Sequence, residues 1–157
     1  ERAHRQSPLV DTAWRLGDAR AAAGDEKGAA ESYSTVVKDG RKGDARTLAL
    51  FYAVKNRDID EAITLARGEM ASRPGVYTCD ALAWALYRKG EIKEARELAD
   101  RATRLGTRDA MLLYHAGAIR IAAGEREQGK KLVQEALALN PKFDPTGAPE
   151  AARLLVQ

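Results

Sequence analysis

The residue types that carry most enzyme and metal chemistry are few in this chain and lie far apart. The 157 residues include two histidines, His4 and His115, and one cysteine, Cys79. Zinc sites and nucleophilic sites need several such side chains at close, regular spacing, and these three have no such spacing. Cys79 falls on the packed side of a predicted helix, where a thiol acts as a small apolar group. The sequence therefore predicts no catalytic residue, no metal ligand and no cofactor, and we do not expect an enzyme.

The composition narrows the class of protein further. Charged residues make up 31% and hydrophobic residues 45% of the chain, which is typical of a globular domain. No apolar run approaches the ~18 residues that indicate a membrane span. The first residue is Glu1 and no signal peptide follows it, so we expect a fragment or a processed product. Its compartment, cytoplasmic or exported, therefore stays open.

Recognition chemistry suits the sequence better than catalysis, because Trp and Tyr are common anchor residues at protein interfaces. The chain has two Trp, five Tyr and two Phe residues. What these side chains can contact depends on the elements that carry them.

Residues 76–106 show those elements most clearly. Apolar residues recur at helical spacing on both sides of Gly90, which predicts two helices joined by a tight turn. The apolar stripe of the first helix is Ala81, Leu82, Ala85 and Leu86. The stripe of the second is Ile92, Ala95, Leu98, Ala99, Ala102 and Leu105.

This two-helix unit recurs along the whole chain. The small residue after each turn is Ala29, Ala62, Ala95 and then Gly129, in steps of 33, 33 and 34 residues. The turns themselves carry Gly24, Asn56, Gly90 and Gly124. Asn replaces Gly well at a turn because it tolerates a positive φ. A period near 34 residues with two helices per unit predicts stacked helical hairpins.

The units resemble the tetratricopeptide repeat (TPR). The matching residues are Trp14, Gly17, Ala29, Tyr33, Leu50, Ala62, Pro74, Leu82, Ala83, Gly90, Ala95, Ala102, Leu105, Gly117, Gly124, Ala136, Leu139, Asn140 and Pro141. Arg41 and Thr107 stand where a closing Pro is usual. Several segments are also similar to the carboxy-terminal repeat block of bacterial TPR proteins. The resemblance implies an all-α, right-handed superhelical solenoid, with the first helix of each hairpin on the concave side.

The resemblance and the breaks between helices divide the chain. We expect a single domain over residues 1–157, with repeats at about 8–41, 43–74, 76–108 and 110–142. Ser7 and Pro8 predict the first helix start, and residues 38–43 predict a polar loop. Residues 147–156 predict a capping helix, which hides the last apolar face of a solenoid. In it, Glu150 is expected to face water, and Phe143 before it is expected to dock on the last hairpin.

The concave face predicted in this way is rich in aromatic residues. Its candidate partner-binding residues are Trp14, Phe51, Tyr77, Trp84, Tyr87, Arg88 and Tyr114. Large apolar groups open to water usually mark a binding site, so we expect a groove that holds a peptide or a helix of a partner protein. Lys55 and Arg88 at its rim, with Asp18 and Asp80 inside, are expected to fix the direction of that segment. Trp84 and Tyr87 are the two aromatics least expected to be internal.

Four alternatives remain open. Some of these aromatics could pack between neighbouring first helices, as aromatic stripes often do, or another part of the same chain could fill the groove. The solenoid ends could stack on one another, which would make the chain a structural self-assembly module. Binding of single-stranded nucleic acid has one supporting observation, a pI of about 9.1. Acidic residues on the inner face would repel phosphates, so no nucleic-acid partner is predicted.

Overall fold

The computed structural model describes residues 9–156, and all regular secondary structure within them is α-helical. The helices are α1 (Val10–Ala22), α2 (Glu26–Gly43), α3 (Ala45–Val54), α4 (Ile59–Ser72), α5 (Val76–Lys89), α6 (Ile92–Thr103), α7 (Ala110–Ala122), α8 (Arg126–Leu139) and α9 (Gly147–Val156). The predicted all-α class is therefore confirmed. Among these residues, none of the helices combines the length and the apolar character needed to traverse a bilayer.

The helices pack as a linear array of hairpins. Each odd-numbered helix from α1 to α7 packs on the helix that follows it, and α3, α5 and α7 also pack on one another in succession. The last helix, α9, packs on both helices of the fourth hairpin. Each hairpin thus covers the apolar faces of its neighbours, which is the helical-repeat solenoid predicted from the period.

The turns inside the hairpins use the residues that the sequence singled out. Gly90 ends α5 with φ 90°, a left-handed conformation that costs glycine little. Asn56 occupies the same place in the second hairpin with φ 50°, and Asp58 follows with φ 47°. Asn and Asp tolerate this region better than other residues with a Cβ.

The small residue of each period lies where two helix backbones come closest. Ala29, Ala62 and Ala95 are buried. In the fourth hairpin, Gly129 faces Gly117 so closely that a Cβ on Gly129 would lie 2.6 Å from the Gly117 carbonyl oxygen. A small residue therefore recurs once per repeat, because a larger side chain at these positions would separate the two helices of the hairpin.

Two local expectations are wrong. Residues 38–43 form no loop, because α2 continues to Gly43. The extra turn packs Gly40 on the next hairpin, where a Cβ would meet the Leu48 Cβ at 2.7 Å. Leu105, expected in the apolar stripe, is exposed because α6 already ends at Thr103. The helix start predicted at Ser7 and Pro8 lies outside the described residues; α1 begins at Val10 after Leu9.

Ion pairs connect the second helices of successive hairpins. The pairs are Arg41–Glu61 at 2.8 Å, Arg67–Glu94 at 2.9 Å and Arg96–Glu125 at 2.7 Å. Exposed pairs of this kind contribute modestly to stability. Because such a pair recurs at each junction, every second helix contacts the second helix of the next hairpin through the same kind of ion pair.

Candidate functional site

A groove with a cavity of about 700 Å³ runs along the N-terminal halves of α1, α3, α5 and α7. We call it the first-helix groove. Its large apolar lining residues outside the buried core are Leu9, Leu50, Tyr77, Met111, Leu139 and Phe143. Its charged lining residues are Asp11, Arg15, Asp44, Arg46, Asp80, Arg108 and Asp109. The first helices therefore line an open groove, but only along part of their length.

Tyr77 is the predicted aromatic that is most open to solvent, with 44% of its surface exposed. The exposure expected for four others is wrong. Trp14 is 5% exposed, Phe51 0%, Trp84 1% and Tyr114 3%. Tyr87 and Arg88 are partly buried. The alternative of internal aromatic packing is thus correct for most of the set.

The first of two aromatic clusters fills the space between the first and second hairpins. Phe51 contacts Trp14 edge-on with ring centres 5.4 Å apart. It also packs on Tyr33 of α2 at 5.4 Å and on Tyr52 at 5.9 Å. Phe51 is consequently a core residue, whereas Trp14 still forms part of the groove wall.

The second cluster surrounds Trp84 between α5 and α7. The Trp84 ring stacks on His115 at 4.0 Å and on Tyr87 at 4.8 Å, and Tyr114 packs at 5.4 Å. The guanidinium of Arg88 lies 4.7 Å from the centre of the same ring. The expectation that Trp84 is not internal fails because α7 brings two aromatic rings against it.

The segment from Phe143 to Glu150 covers this second cluster. Phe143 packs on Tyr114 with ring centres 5.3 Å apart, as expected for docking on the last hairpin. The Tyr114 hydroxyl donates a 2.8 Å hydrogen bond to Glu150 Oε2, and Arg88 Nη2 lies 3.7 Å from the same oxygen. Glu150 therefore does not simply face water. Burial, together with Glu150, raises the pKa of Tyr114.

The charged residues that were expected to orient a partner are engaged within the chain. Lys55 Nζ lies 2.6 Å from Asp18 Oδ1, and the Tyr33 hydroxyl donates to the same oxygen at 2.7 Å. Burial, together with Asp18, raises the pKa of the Tyr33 hydroxyl. Arg88 is paired with Glu150, as described above. None of these charges is free to fix the direction of a bound segment.

Sequence reasoning missed a buried pair formed by His115 and Asp80. The distance from His115 Nδ1 to Asp80 Oδ1 is 3.0 Å, and both side chains are buried. The two residues are 35 positions apart, close to one repeat period. Equivalent positions in neighbouring repeats come close together, so this spacing could have predicted the pair. Over residues 9–156, these two side chains form hydrogen bonds only with each other. We therefore assign the pair a structural role in tying α5 to α7.

Sequence reasoning also missed two arginines of the groove, Arg46 and Arg108. They differ from Arg15, the third arginine of the groove, because no carboxylate of the described residues pairs with them. Arg46 lies over the Tyr77 ring, with its guanidinium carbon 5.7 Å from the ring centre. Arg108 is exposed at the start of the fourth hairpin. Within the part of the chain that the structure describes, neither arginine forms an ion pair with a carboxylate.

A second cavity, of about 890 Å³, adjoins the groove beside Tyr77. It lies between the junction of α2 with α3 and the start of α5. Leu9, Asp44, Arg46 and Tyr77 line both cavities. Tyr77 and Arg46 are therefore accessible from two sides.

No protein-family model matches the chain, and no curated protein matches its sequence. Solved structures do share its fold. The crystal structure of TTC0263, a thermophilic TPR protein in Thermus thermophilus, is 21% identical with a TM-score of 0.64, and the match covers 94% of this chain and 79% of that one. The crystal structure of MamA protein is 20% identical with a TM-score of 0.53, and the match covers 94% of this chain and 84% of that one. At this identity the likeness establishes the TPR-like solenoid fold.

Proposed function

We propose that this chain is a protein–protein interaction scaffold that binds an extended peptide or a helix of a partner protein in the first-helix groove. The supporting observation is an open groove in which exposed apolar side chains, above all Tyr77, alternate with charged ones. Large apolar groups that remain open to water favour a binding surface. The TPR fold of the neighbours supports the scaffold class.

Tyr77 is the proposed main anchor. It is the most exposed of the predicted aromatics and lines both cavities. Tyr is a common anchor because it presents a large rigid surface and a polar group at little entropic cost. Trp14 would contribute the wall of the groove. The other predicted binding residues would not contact the partner and would instead hold the first helices in position. They are Phe51, Trp84, Tyr87, Arg88 and Tyr114.

The experiment begins with capture of proteins from a lysate of the source organism, using the purified chain as bait. The affinity of each captured protein is then measured with the wild type and with Tyr77→Ala. An anchor residue contributes about 2 kcal/mol or more, so we expect a loss of about 30-fold. The matched control is Leu105→Ala, which removes an exposed apolar side chain that lines neither cavity. Equal affinity of Tyr77→Ala and wild type would refute the groove.

Self-assembly is a second proposal, and exposed apolar residues at both ends of the array support it. Leu16 on α1 and Val156 on α9 are exposed. Contact between α1 of one copy and α9 of another would bury them. Sedimentation at several concentrations tests this, because Leu16→Asp should dissociate the assembly. A wild-type monomer at all concentrations would exclude it.

A further inference from the structure

We propose that the segment recognised by the first-helix groove is acidic: Arg46 and Arg108 bind its carboxylates, beside an apolar side chain that packs on Tyr77. This inference rests on the proposed function, because it names the chemistry of the partner for that same groove. Its support is that the acidic side chains of the groove are engaged by the chain's own groups, whereas Arg46 and Arg108 form no ion pair among residues 9–156.

Each acidic residue of the groove already has a partner within the chain. Asp11 pairs with Arg15 at 2.8 Å, and Asp80 pairs with His115. Asp44 Oδ1 accepts the backbone N–H of Thr47 at 3.1 Å, which caps α3. Asp109 Oδ1 caps α7 by accepting two backbone N–H groups, the nearer at 3.0 Å. A basic segment would have to compete with these contacts for the carboxylates.

The two remaining charges of the groove are positive. Arg15 is engaged by Asp11, and Arg46 and Arg108 form no ion pair among residues 9–156. A guanidinium stays charged at any physiological pH and binds carboxylates in a two-pronged geometry. The lining as a whole holds four aspartates and three arginines, so the attraction is local. A carboxylate gains it beside Arg46 or Arg108, where it breaks no internal ion pair.

The position of Arg46 places this charge next to the aromatic anchor. Its guanidinium carbon lies 5.7 Å from the centre of the Tyr77 ring, within the range of a cation–π contact. Such stacking leaves the edge of the guanidinium, which carries the N–H donors, available to a ligand. A segment with an acidic residue close to an apolar one would use both groups at once.

A second arginine that lies over an aromatic ring, Arg88, already has a carboxylate partner within the chain. Arg88 lies over the Trp84 ring at 4.7 Å, much as Arg46 lies over Tyr77. There the 143–150 segment supplies a carboxylate, Glu150, and an aromatic ring, Phe143, which packs on Tyr114. Among residues 9–156, the Arg46–Tyr77 pair has neither an ion-paired carboxylate nor a packed aromatic ring. The Glu150 carboxylate and the Phe143 ring, which cover Arg88 and Tyr114, thus illustrate the ligand groups that Arg46 and Tyr77 would accept from a partner.

Selection of random linear peptides on immobilised chain tests the proposal. The tightest peptides are synthesised twice, once as selected and once with each Asp or Glu replaced by its amide. We expect selected peptides that combine acidic with aromatic or aliphatic residues. We also expect their amide twins to bind about 100-fold more weakly, because two charged contacts worth about tenfold each are lost.

Variants identify the residues responsible. Arg46→Ala and Arg108→Ala should each weaken the acidic peptide about tenfold and leave its amide twin unchanged. The matched control is Arg153→Ala, which removes an exposed arginine on α9 that lines neither cavity. Arg108 and Arg153 are exposed and Arg46 is partly buried, so circular dichroism verifies that each variant is folded.

The outcomes separate this inference from the proposed function. Equal binding of both twins, with loss of binding in Tyr77→Ala, would overturn the acidic specificity and leave the groove intact. Binding that does not depend on Tyr77, or no selected peptide at all, would overturn both. Dissociation of a wild-type dimer by Arg46→Glu would assign the groove to a second copy of this chain, which also overturns the proposal.

Discussion

The Tyr114 hydroxyl donates a 2.8 Å hydrogen bond to Glu150 Oε2, and this contact attaches the C-terminal helix to the inner surface of the fourth hairpin. Tyr114 comes from α7 and Glu150 from α9, so the bond joins elements that are 36 residues apart. Phe143 adds an aromatic contact to the same ring. The segment that leads into α9 therefore covers the C-terminal half of α5 and the middle of α7, around Trp84, Arg88 and Tyr114.

Tyr114→Phe should lower the free energy of unfolding without weakening partner binding. The substitution keeps the ring and removes one partly buried hydrogen bond, which contributes about 1 kcal/mol. Urea denaturation of the wild type and the variant measures this difference. Loss of partner affinity in a variant of unchanged stability would place Tyr114 in the binding surface instead.

Trp84→Ala should act on stability, in contrast to Tyr77→Ala. Trp84 is among the largest fully buried side chains, and removal of such a side chain costs about 3–5 kcal/mol. Thermal unfolding followed by circular dichroism should show a large decrease in Tm for Trp84→Ala and little change for Tyr77→Ala. Equal Tm values for the two variants would contradict the burial of Trp84.

Gly117→Ala and Gly68→Ala should change stability in opposite directions. A Cβ on Gly117 would lie 2.8 Å from the Gly129 carbonyl oxygen, and such overpacking costs about 1–3 kcal/mol. A Cβ on Gly68, in the exposed middle of α4, would meet nothing within 4 Å. Alanine there should stabilise the helix by about 0.5–1 kcal/mol. Denaturant midpoints of the two variants provide the comparison, and a Gly117→Ala variant as stable as Gly68→Ala would contradict the close contact between α7 and α8.

Glu125→Gln should destabilise the protein at neutral pH and have less effect in acid. The hydrogen bond from Arg96, with a second from Arg120, holds the pKa of Glu125 below its ordinary value. A carboxylate with a lowered folded-state pKa contributes stability above its unfolded pKa of about 4.3, and this contribution is lost as the pH falls through the folded pKa. The Tm difference between wild type and variant should therefore shrink below about pH 4. A difference that is constant with pH would show that charge is not its cause.

The fold could be predicted from the sequence because its determinants are local and repeated. The small residue at Ala29, Ala62, Ala95 and Gly129 and the turn residues at Gly90 and Asn56 each reflect a contact inside one hairpin. The predicted end of α2 is wrong because residues 38–43 are polar and contain two glycines. Only the neighbouring hairpin shows that Gly40 must pack on Leu48.

The candidate site was harder to predict because burial on an inner face depends on what approaches it. Tyr77, Trp14 and Asp80, which the helical pattern assigns to the inner face, line the groove. It could not show that Phe143 and Glu150 return to cover Trp84 and Tyr114. The pairing of His115 with Asp80, and of Lys55 with Asp18, likewise needs distances between hairpins, which no single repeat contains.

The packing of the first helices on one another determines how the array responds to salt. α3, α5 and α7 pack in succession, and α5 and α7 also pack on the second helices of the preceding hairpins. The Arg41–Glu61, Arg67–Glu94 and Arg96–Glu125 pairs add electrostatic contacts at the second helices. High ionic strength weakens exposed ion pairs and leaves apolar contacts in place. The hairpins should therefore stay stacked at high salt, with only a small decrease in Tm.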